Sequence, residues 1–241
     1  MAIPQTIFRP YRVVEHAPLA QGMFRLVLEA VDAANPLPPF VAGQWVNLRL
    51  LNDDGSEWAK AAYSLANTPA SGTQRIELGI KIEGDFTKRL AALPLGGVVE
   101  LQGPWGVFTM KSDYAHHVLI AGGIGVTPFV SMIRERVARG EQITLLYSCR
   151  TPEEAAYLEE LTQLAAAHPH FTLVSTCTRA SSADWSGSCG RIDAEVLRRV
   201  ITDTEGTECL LCGPDVFMND IRAALLAQGF EPKAVRQESF G

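Results

Sequence analysis

Apolar and polar positions follow two different rhythms along this chain. Up to about residue 110 they alternate in short runs. Examples are Met23-Phe24-Arg25-Leu26-Val27-Leu28-Glu29, Gln44-Trp45-Val46-Asn47-Leu48-Arg49-Leu50, Arg75-Ile76-Glu77-Leu78-Gly79-Ile80-Lys81-Ile82 and Val98-Val99-Glu100-Leu101. Gly, Pro, Asn and Asp break these runs. A period of two puts successive side chains on opposite faces of a strand, so this half predicts an antiparallel barrel or sandwich. Only residues 86–93 read as helical within it.

From about residue 115 apolar runs alternate with amphipathic stretches. The runs at 117–120, 143–148, 171–177 and 208–212 predict strands, and the stretches at 128–138, 152–167, 194–201 and 214–228 predict helices. Thr151, Pro152 and Glu153-Glu154 make a start signal for the second helix: a cap, a proline at the first position and acids at the positive dipole end. Strand–helix alternation predicts a parallel sheet with covered faces. The rhythm changes near residues 111–115, which divides the chain into 1–112 and 113–241. Neither half contains an internal repeat.

With 241 residues, 47% of them hydrophobic and 20% charged, the chain is long enough for two ordinary domains. A formal net charge of −6 provides no overall basic field for nucleic acid. No apolar run approaches the roughly 18 residues of a membrane helix. Met1-Ala2-Ile3-Pro4 lacks the charged-then-apolar pattern of an export signal, so a cytoplasmic location is expected. The five cysteines, at 149, 177, 189, 209 and 212, are odd in number and suit reduced thiols better than a disulfide framework. Cys209 and Cys212 lie in an apolar run that reads as a buried strand, with no second pair at ligand spacing, so no metal site is expected.

Candidate chemistry begins where Val118-Leu119-Ile120 feeds Ala121-Gly122-Gly123-Ile124-Gly125-Val126-Thr127-Pro128. Gly122, Gly123 and Gly125 allow a tight turn and close backbone approach to a pyrophosphate. The helix that follows offers free N–H groups and a positive dipole end. Thr127 reads as its N-cap and Pro128 as its first residue. Taken alone, the pattern fits an ordinary strand–turn–helix corner equally well.

Four further motifs occur in a telling order. Ala61-Ala62-Tyr63-Ser64, followed by Leu65, falls on Arg-x-Tyr-Ser/Thr, and Gly84-Asp85-Phe86-Thr87 falls on Gly-x-x-Ser/Thr. Cys212-Gly213-Pro214 follows the last predicted strand, and Glu238-Ser239-Phe240 is an acid-x-aromatic near the C-terminus. With the glycine turn, this set resembles the ferredoxin–NADP reductase superfamily across essentially the whole chain. The wording of Gly84–Thr87 is also similar to the flavin domains of ferric-reductase-like proteins.

The resemblance implies a Greek-key flavin-binding β-barrel, then a Rossmann-like NAD(P)-binding domain whose C-terminal tail returns to the flavin. FAD and NADP, or NAD, are the implied cofactors. Tyr63, Ser64 and Leu65 would line the flavin ring, and Gly84, Asp85, Phe86 and Thr87 its phosphates, with Lys81 as a cation on the preceding strand. Ser64, Cys212 and Glu238 would surround the point of hydride transfer, with Gly213 and Pro214 beside the nicotinamide and Phe240 covering the flavin. Arg150 and Arg179, at the ends of the second and third strands, favour a 2′-phosphate and hence NADP.

One departure stands out: the family's flavin-phosphate arginine is Ala61 here, leaving Lys88 and Arg89 as possible substitutes. The implied activity is an NAD(P)H reductase passing electrons to a small redox protein such as ferredoxin. A flavin reductase with loosely bound flavin, and a non-catalytic electron-transfer subunit, remain as alternatives.

Overall fold

The alternating half builds one antiparallel sheet, because most of its apolar positions fall on one face. The computed structural model describes residues 6–180, 185 and 187–239. Six strands, β1 (Arg9–Ala20), β2 (Met23–Ala30), β3 (Trp45–Leu51), β4 (Glu57–Ser64), β5 (Arg75–Lys81) and β6 (Val98–Trp105), pair in the order β4-β3-β6-β1-β2-β5. In β3, Val46, Leu48 and Leu50 are buried while Trp45, Asn47 and Arg49 are half-buried. Such inward residues, with Leu26, Leu28, Ile76, Leu78 and Leu101, make a single core. The sheet curls so that its edges meet, Ala66 N donating to Glu77 O at 2.9 Å. Helix α1 (Gly84–Ala91) connects β5 to β6 and starts two residues before the expected span.

The second half forms a parallel sheet of β7 (His116–Gly122), β8 (Gln142–Cys149), β9 (Phe171–Cys177), β10 (Ser188–Cys189), β11 (Thr207–Cys212) and β12 (Val235–Glu238). Its order is β10-β9-β8-β7-β11-β12. Helices α2 (Thr127–Arg136) and α3 (Leu158–Ala167) pack in the core of one face, and α4 (Ala194–Val200) and α5 (Asp215–Ala227) in that of the other. With both faces covered, β7 and β11 read as nearly continuous apolar runs. The strand order reverses between β7 and β11, and ligands of open α/β sheets bind at such a switch point. Both glycine-bearing turns follow these two strands.

Besides the short added strand β10, two segments differ from expectation. The predicted helix at 152–167 is split into a short turn, Pro152–Glu154, and α3 from Leu158, with Tyr157 between them at φ 59°. A tertiary contact overrides the local signal here: Tyr157 is buried against Gly79 of β5, where an added β-carbon would lie 2.9 Å from the Tyr157 hydroxyl. The unanticipated β12 lays the tail along β11, pairing Cys209 with Val235 and Cys212 with Glu238.

Two polar clusters join the halves. Arg134 of α2 donates to Ala66 O at 2.9 Å, to Glu77 at 3.1 Å and to Glu160 at 2.6 Å. Fully buried Glu208 accepts from His117 Nδ1 and Lys111 N, each at 2.8 Å, and from Arg236 at 2.6 Å. Arg236 in turn reaches Thr109 O at 2.5 Å. No helix among the described residues is long and apolar enough to cross a membrane, and no group of three potential ligands there could hold a metal ion.

Candidate functional site

The two turns at the switch point are built against each other. A β-carbon at Gly125 would lie 2.6 Å from the Cys212 carbonyl carbon and 2.8 Å from Gly213 N. One at Gly122 would lie 3.0 Å from both Phe217 and Pro214. These glycines therefore permit turn-on-turn packing, whereas Gly123, at φ 56°, faces open space. Thr127 is not the N-cap. A short 3₁₀ segment, Gly123–Val126, runs straight into α2 with Val126 at the cap position. The Thr127 hydroxyl instead donates to Ile124 O at 2.8 Å. Pro128 sits in the first turn and is buried.

On the barrel side, Phe86 lies nearly parallel to Tyr63 and to Trp58, with ring centroids 6.4 and 6.0 Å apart. Burial raises the Tyr63 hydroxyl to a pKa of about 12, so it stays protonated. Ser64 Oγ is buried and has no protein partner. Leu65 is turned into the barrel and its N–H donates to Gln44 O, so its side chain is committed to packing. Gly84, at φ 72°, opens α1 with free space around it, and Asp85 is exposed in the first turn. Thr87 points inward, its hydroxyl accepting from Glu83 N and donating to Glu83 O, both at 2.6 Å.

The cations expected near the phosphates are largely engaged. Lys81 pairs with Glu83, and Lys88 lies 3.6 Å from Asp85. Arg89 donates to Leu51 O at 2.8 Å while stacking over Trp58 at 4.6 Å. Trp58 was not anticipated. It is the extra residue of an irregularity in the pairing of β3 with β4, Leu50 facing Ala59 and Leu51 facing Glu57, which period-two counting passes over.

Of the three expected hydride-site residues, Cys212 and Glu238 are direct neighbours, and Ser64 is linked to them through Trp45 and Gly106. Ser64 pairs with Trp45 across β3 and β4, and a β-carbon at Gly106 would touch the Trp45 ring at 2.9 Å. The same position lies 3.6 Å from Glu238 Oε1, and Glu238 pairs with Cys212. Cys212 is fully buried; burial, then the nearby Glu238 charge, keep its thiol protonated. Burial raises Glu238 to a pKa of about 7, and its Oε2 has no protein partner. Ser239 anchors the tail to Asp215 at 2.6 Å; Phe240 lies outside the described residues. At the same C-terminal edge of the sheet, beyond β7, the Arg179 N–H donates to Arg150 O at 2.8 Å, which holds the two exposed arginines side by side. Neither is tied to a carboxylate among the described residues.

Residues 10–110 match the model of the oxidoreductase FAD-binding domain, and residues 119–223 that of the oxidoreductase NAD-binding domain. Over 228 residues the chain is 32% identical to ferredoxin–NADP reductase B of Sorangium cellulosum, covering 90% of each. This chain belongs to the ferredoxin–NADP reductase family. It is also 35% identical, over 198 residues, to the reductase component of phenol 2-monooxygenase from Pseudomonas sp. strain CF600, spanning only 54% of that relative's length. The FAD/NAD-binding domain of Vibrio cholerae nitric oxide dioxygenase has the same fold, with a TM-score of 0.85 at 23% identity across 97% of this chain and 98% of that one. As in the rest of the family, the cofactors are FAD and a nicotinamide nucleotide. The orphaned Ser64 Oγ and Glu238 Oε2, the open turns at Gly84 and Gly123, and the Tyr63–Phe86 aromatic surface fit them.

Proposed function

We propose that this chain is an FAD-dependent NAD(P)H reductase that takes hydride from a nicotinamide nucleotide and delivers single electrons to a separate small redox protein such as ferredoxin. The observation that carries this reading is that the tail strand β12 sets Glu238 beside Cys212 and brings it to the barrel at Gly106, next to the Trp45 that pairs with Ser64. When bound, FAD supplies the chemistry that turns a two-electron donor into a one-electron source. Tyr63 offers a flat, neutral face, and Ser64 Oγ is a buried donor or acceptor that folding leaves for a ligand. The neutral Cys212 thiol orients the nicotinamide without acting as a nucleophile. Glu238 holds a proton beside it. The names of the Sorangium and Pseudomonas relatives support reductase chemistry with a protein acceptor.

The Arg150–Arg179 pair favours NADPH over NADH, because a 2′-phosphate would accept charge-assisted bonds from both. Replacing either with Ala is expected to raise the KM for NADPH about tenfold, in line with the roughly 1.5–3 kcal/mol of such a bond. The KM for NADH should barely move. Steady-state assays with an artificial acceptor check this, and a wild-type preference for NADH would reverse the assignment.

A second reading, a flavin reductase with exchangeable flavin, is favoured by one feature: Ala61 stands where the family has arginine, and Arg89 is already bonded to Leu51 O. Absorbance of the purified protein separates the two. Bound yellow flavin supports the reductase, and flavin lost on gel filtration supports the alternative.

Glu238 should make the rate of flavin reduction pH-dependent. Its pKa is raised to about 7, so its protonated fraction falls as the pH rises through neutrality. Stopped-flow reduction by NADPH should show an inflection near pH 7 that disappears in Glu238→Gln, while flavin content stays unchanged. An inflection that persists in the variant assigns it to another group.

A further inference from the structure

Three cysteines unused by the proposed reaction stand in one row across the parallel sheet. Cys149 ends β8, Cys177 ends β9 and Cys189 ends β10, and the strand register pairs Cys149 with Cys177 and Cys177 with Cys189. Parallel pairing in register puts all three side chains on the same face of the sheet. Neighbouring strands lie about 4.8 Å apart, within the Cα separation that a disulfide spans. Cys149 Sγ and Cys177 Sγ are 3.1 Å apart, with no atom between them. Only the outer end of the row reaches solvent: Cys189 is exposed, whereas Cys177 in the middle is fully buried and Cys149 at the inner end is 5% exposed.

We propose that this row is a peroxide-oxidised thiol–disulfide relay, in which Cys189 is the entry point and Cys149–Cys177 the stored disulfide. Peroxide reaches Cys189 first. Its O–O bond breaks, a sulfur–oxygen bond forms, and one water leaves. The Cys177 sulfur then attacks the Cys189 sulfenic acid, forming an S–S bond and releasing a second water with the Cys177 proton. Cys149 next attacks the Cys177 sulfur at 3.1 Å. The S–S bond moves inward, and Cys189 leaves as a thiol carrying the Cys149 proton. In total, two thiols lose two electrons and one peroxide becomes two waters.

The relay resolves an apparent conflict. Burial keeps the Cys149 and Cys177 thiols protonated and shields them, so direct attack by peroxide on either is slow. An exposed neighbour in register removes that obstacle. The inference does not depend on the nucleotide assignment, because thiol chemistry can be read without any cofactor turnover.

The test is stoichiometric hydrogen peroxide added to the purified full chain, followed by denaturing thiol titration and peptide mapping without reduction. Two of the five thiols should be lost, with a Cys149–Cys177 linked peptide as the main product, and dithiothreitol should restore both. Cys189→Ser should slow formation of that peptide at least tenfold, and Cys149→Ser should trap a Cys177–Cys189 disulfide instead. Over-oxidised Cys189 alongside free Cys149 and Cys177 in the wild type would overturn the proposal. So would a Cys189→Ser variant that forms the inner disulfide at the wild-type rate.

Discussion

Replacing Gly125 with Ala is expected to abolish nicotinamide-driven reduction while leaving the flavin domain loaded. The added β-carbon would fall 2.6 Å from the Cys212 carbonyl carbon and 2.8 Å from Gly213 N. Both are backbone atoms, so no side-chain rotation relieves the clash, and the turns after β7 and β11 must separate. Overpacking of this kind costs about 1–3 kcal/mol. In a chain of this size that lowers Tm by roughly 3–10 °C. The functional loss should exceed the stability loss, because the displaced groups include Cys212 and the nucleotide-facing turn itself. A drop of about a hundredfold or more in kcat/KM with NADPH, at unchanged flavin content, is the expected result. Gly123→Ala provides the contrast. Its β-carbon would meet no protein atom, so its stability cost is the left-handed backbone penalty of about 1–2 kcal/mol. Any further functional loss comes from crowding the nucleotide in the open turn and not from parting the two turns. Equal, mild effects from both substitutions would show that turn-on-turn packing does not set the site.

Glu208→Gln should be the most destabilising polar change in the protein. Its carboxylate is fully buried and accepts from Lys111 N, His117 and Arg236, which together tie the link between the domains to β7, β11 and β12. An amide loses the charge and turns one acceptor into a donor, leaving Arg236 without its counter-ion. Breaking a buried pair from one side costs about 3–5 kcal/mol. Burial pushes the Glu208 pKa up, but the hydrogen bonds from His117, Arg236 and Lys111 outweigh it and hold the group below its ordinary value of 4.5. A carboxylate with a lowered folded pKa contributes stability above that ordinary value and loses it as the pH falls through the lowered one. Denaturant titrations should therefore show wild type and Glu208→Gln far apart at neutral pH and converging in acid. A constant gap across that range would assign the loss to packing instead of charge. Because Arg236 lies two residues before Glu238, the variant should also blunt the inflection near pH 7 in flavin reduction.

Local signals determined most of the architecture. Period-two runs such as 44–50 and 75–82 became β3 and β5, and the apolar runs of the second half became β7, β8, β9 and β11. These elements were legible because strand alternation and glycine turns are properties of adjacent residues, whereas the expected caps at Thr127 and Thr151 did not form. The candidate site was expected from a series of short motifs, each carried by one turn or strand end, through the family that their order resembles. What the sequence could not express was register between distant segments. Nothing local to Glu208 marks it as the hub joining the two halves, and nothing near Tyr157 says that its ring must pack on the outer face of the barrel at Gly79 and break a helix. The strand 235–238, the Trp58 irregularity and the Cys149–Cys177–Cys189 row likewise exist only once strands are paired. Periodicity encodes which face of an element is buried. Which partner buries it is decided by the chain as a whole, through contacts whose closing entropy no short window can report.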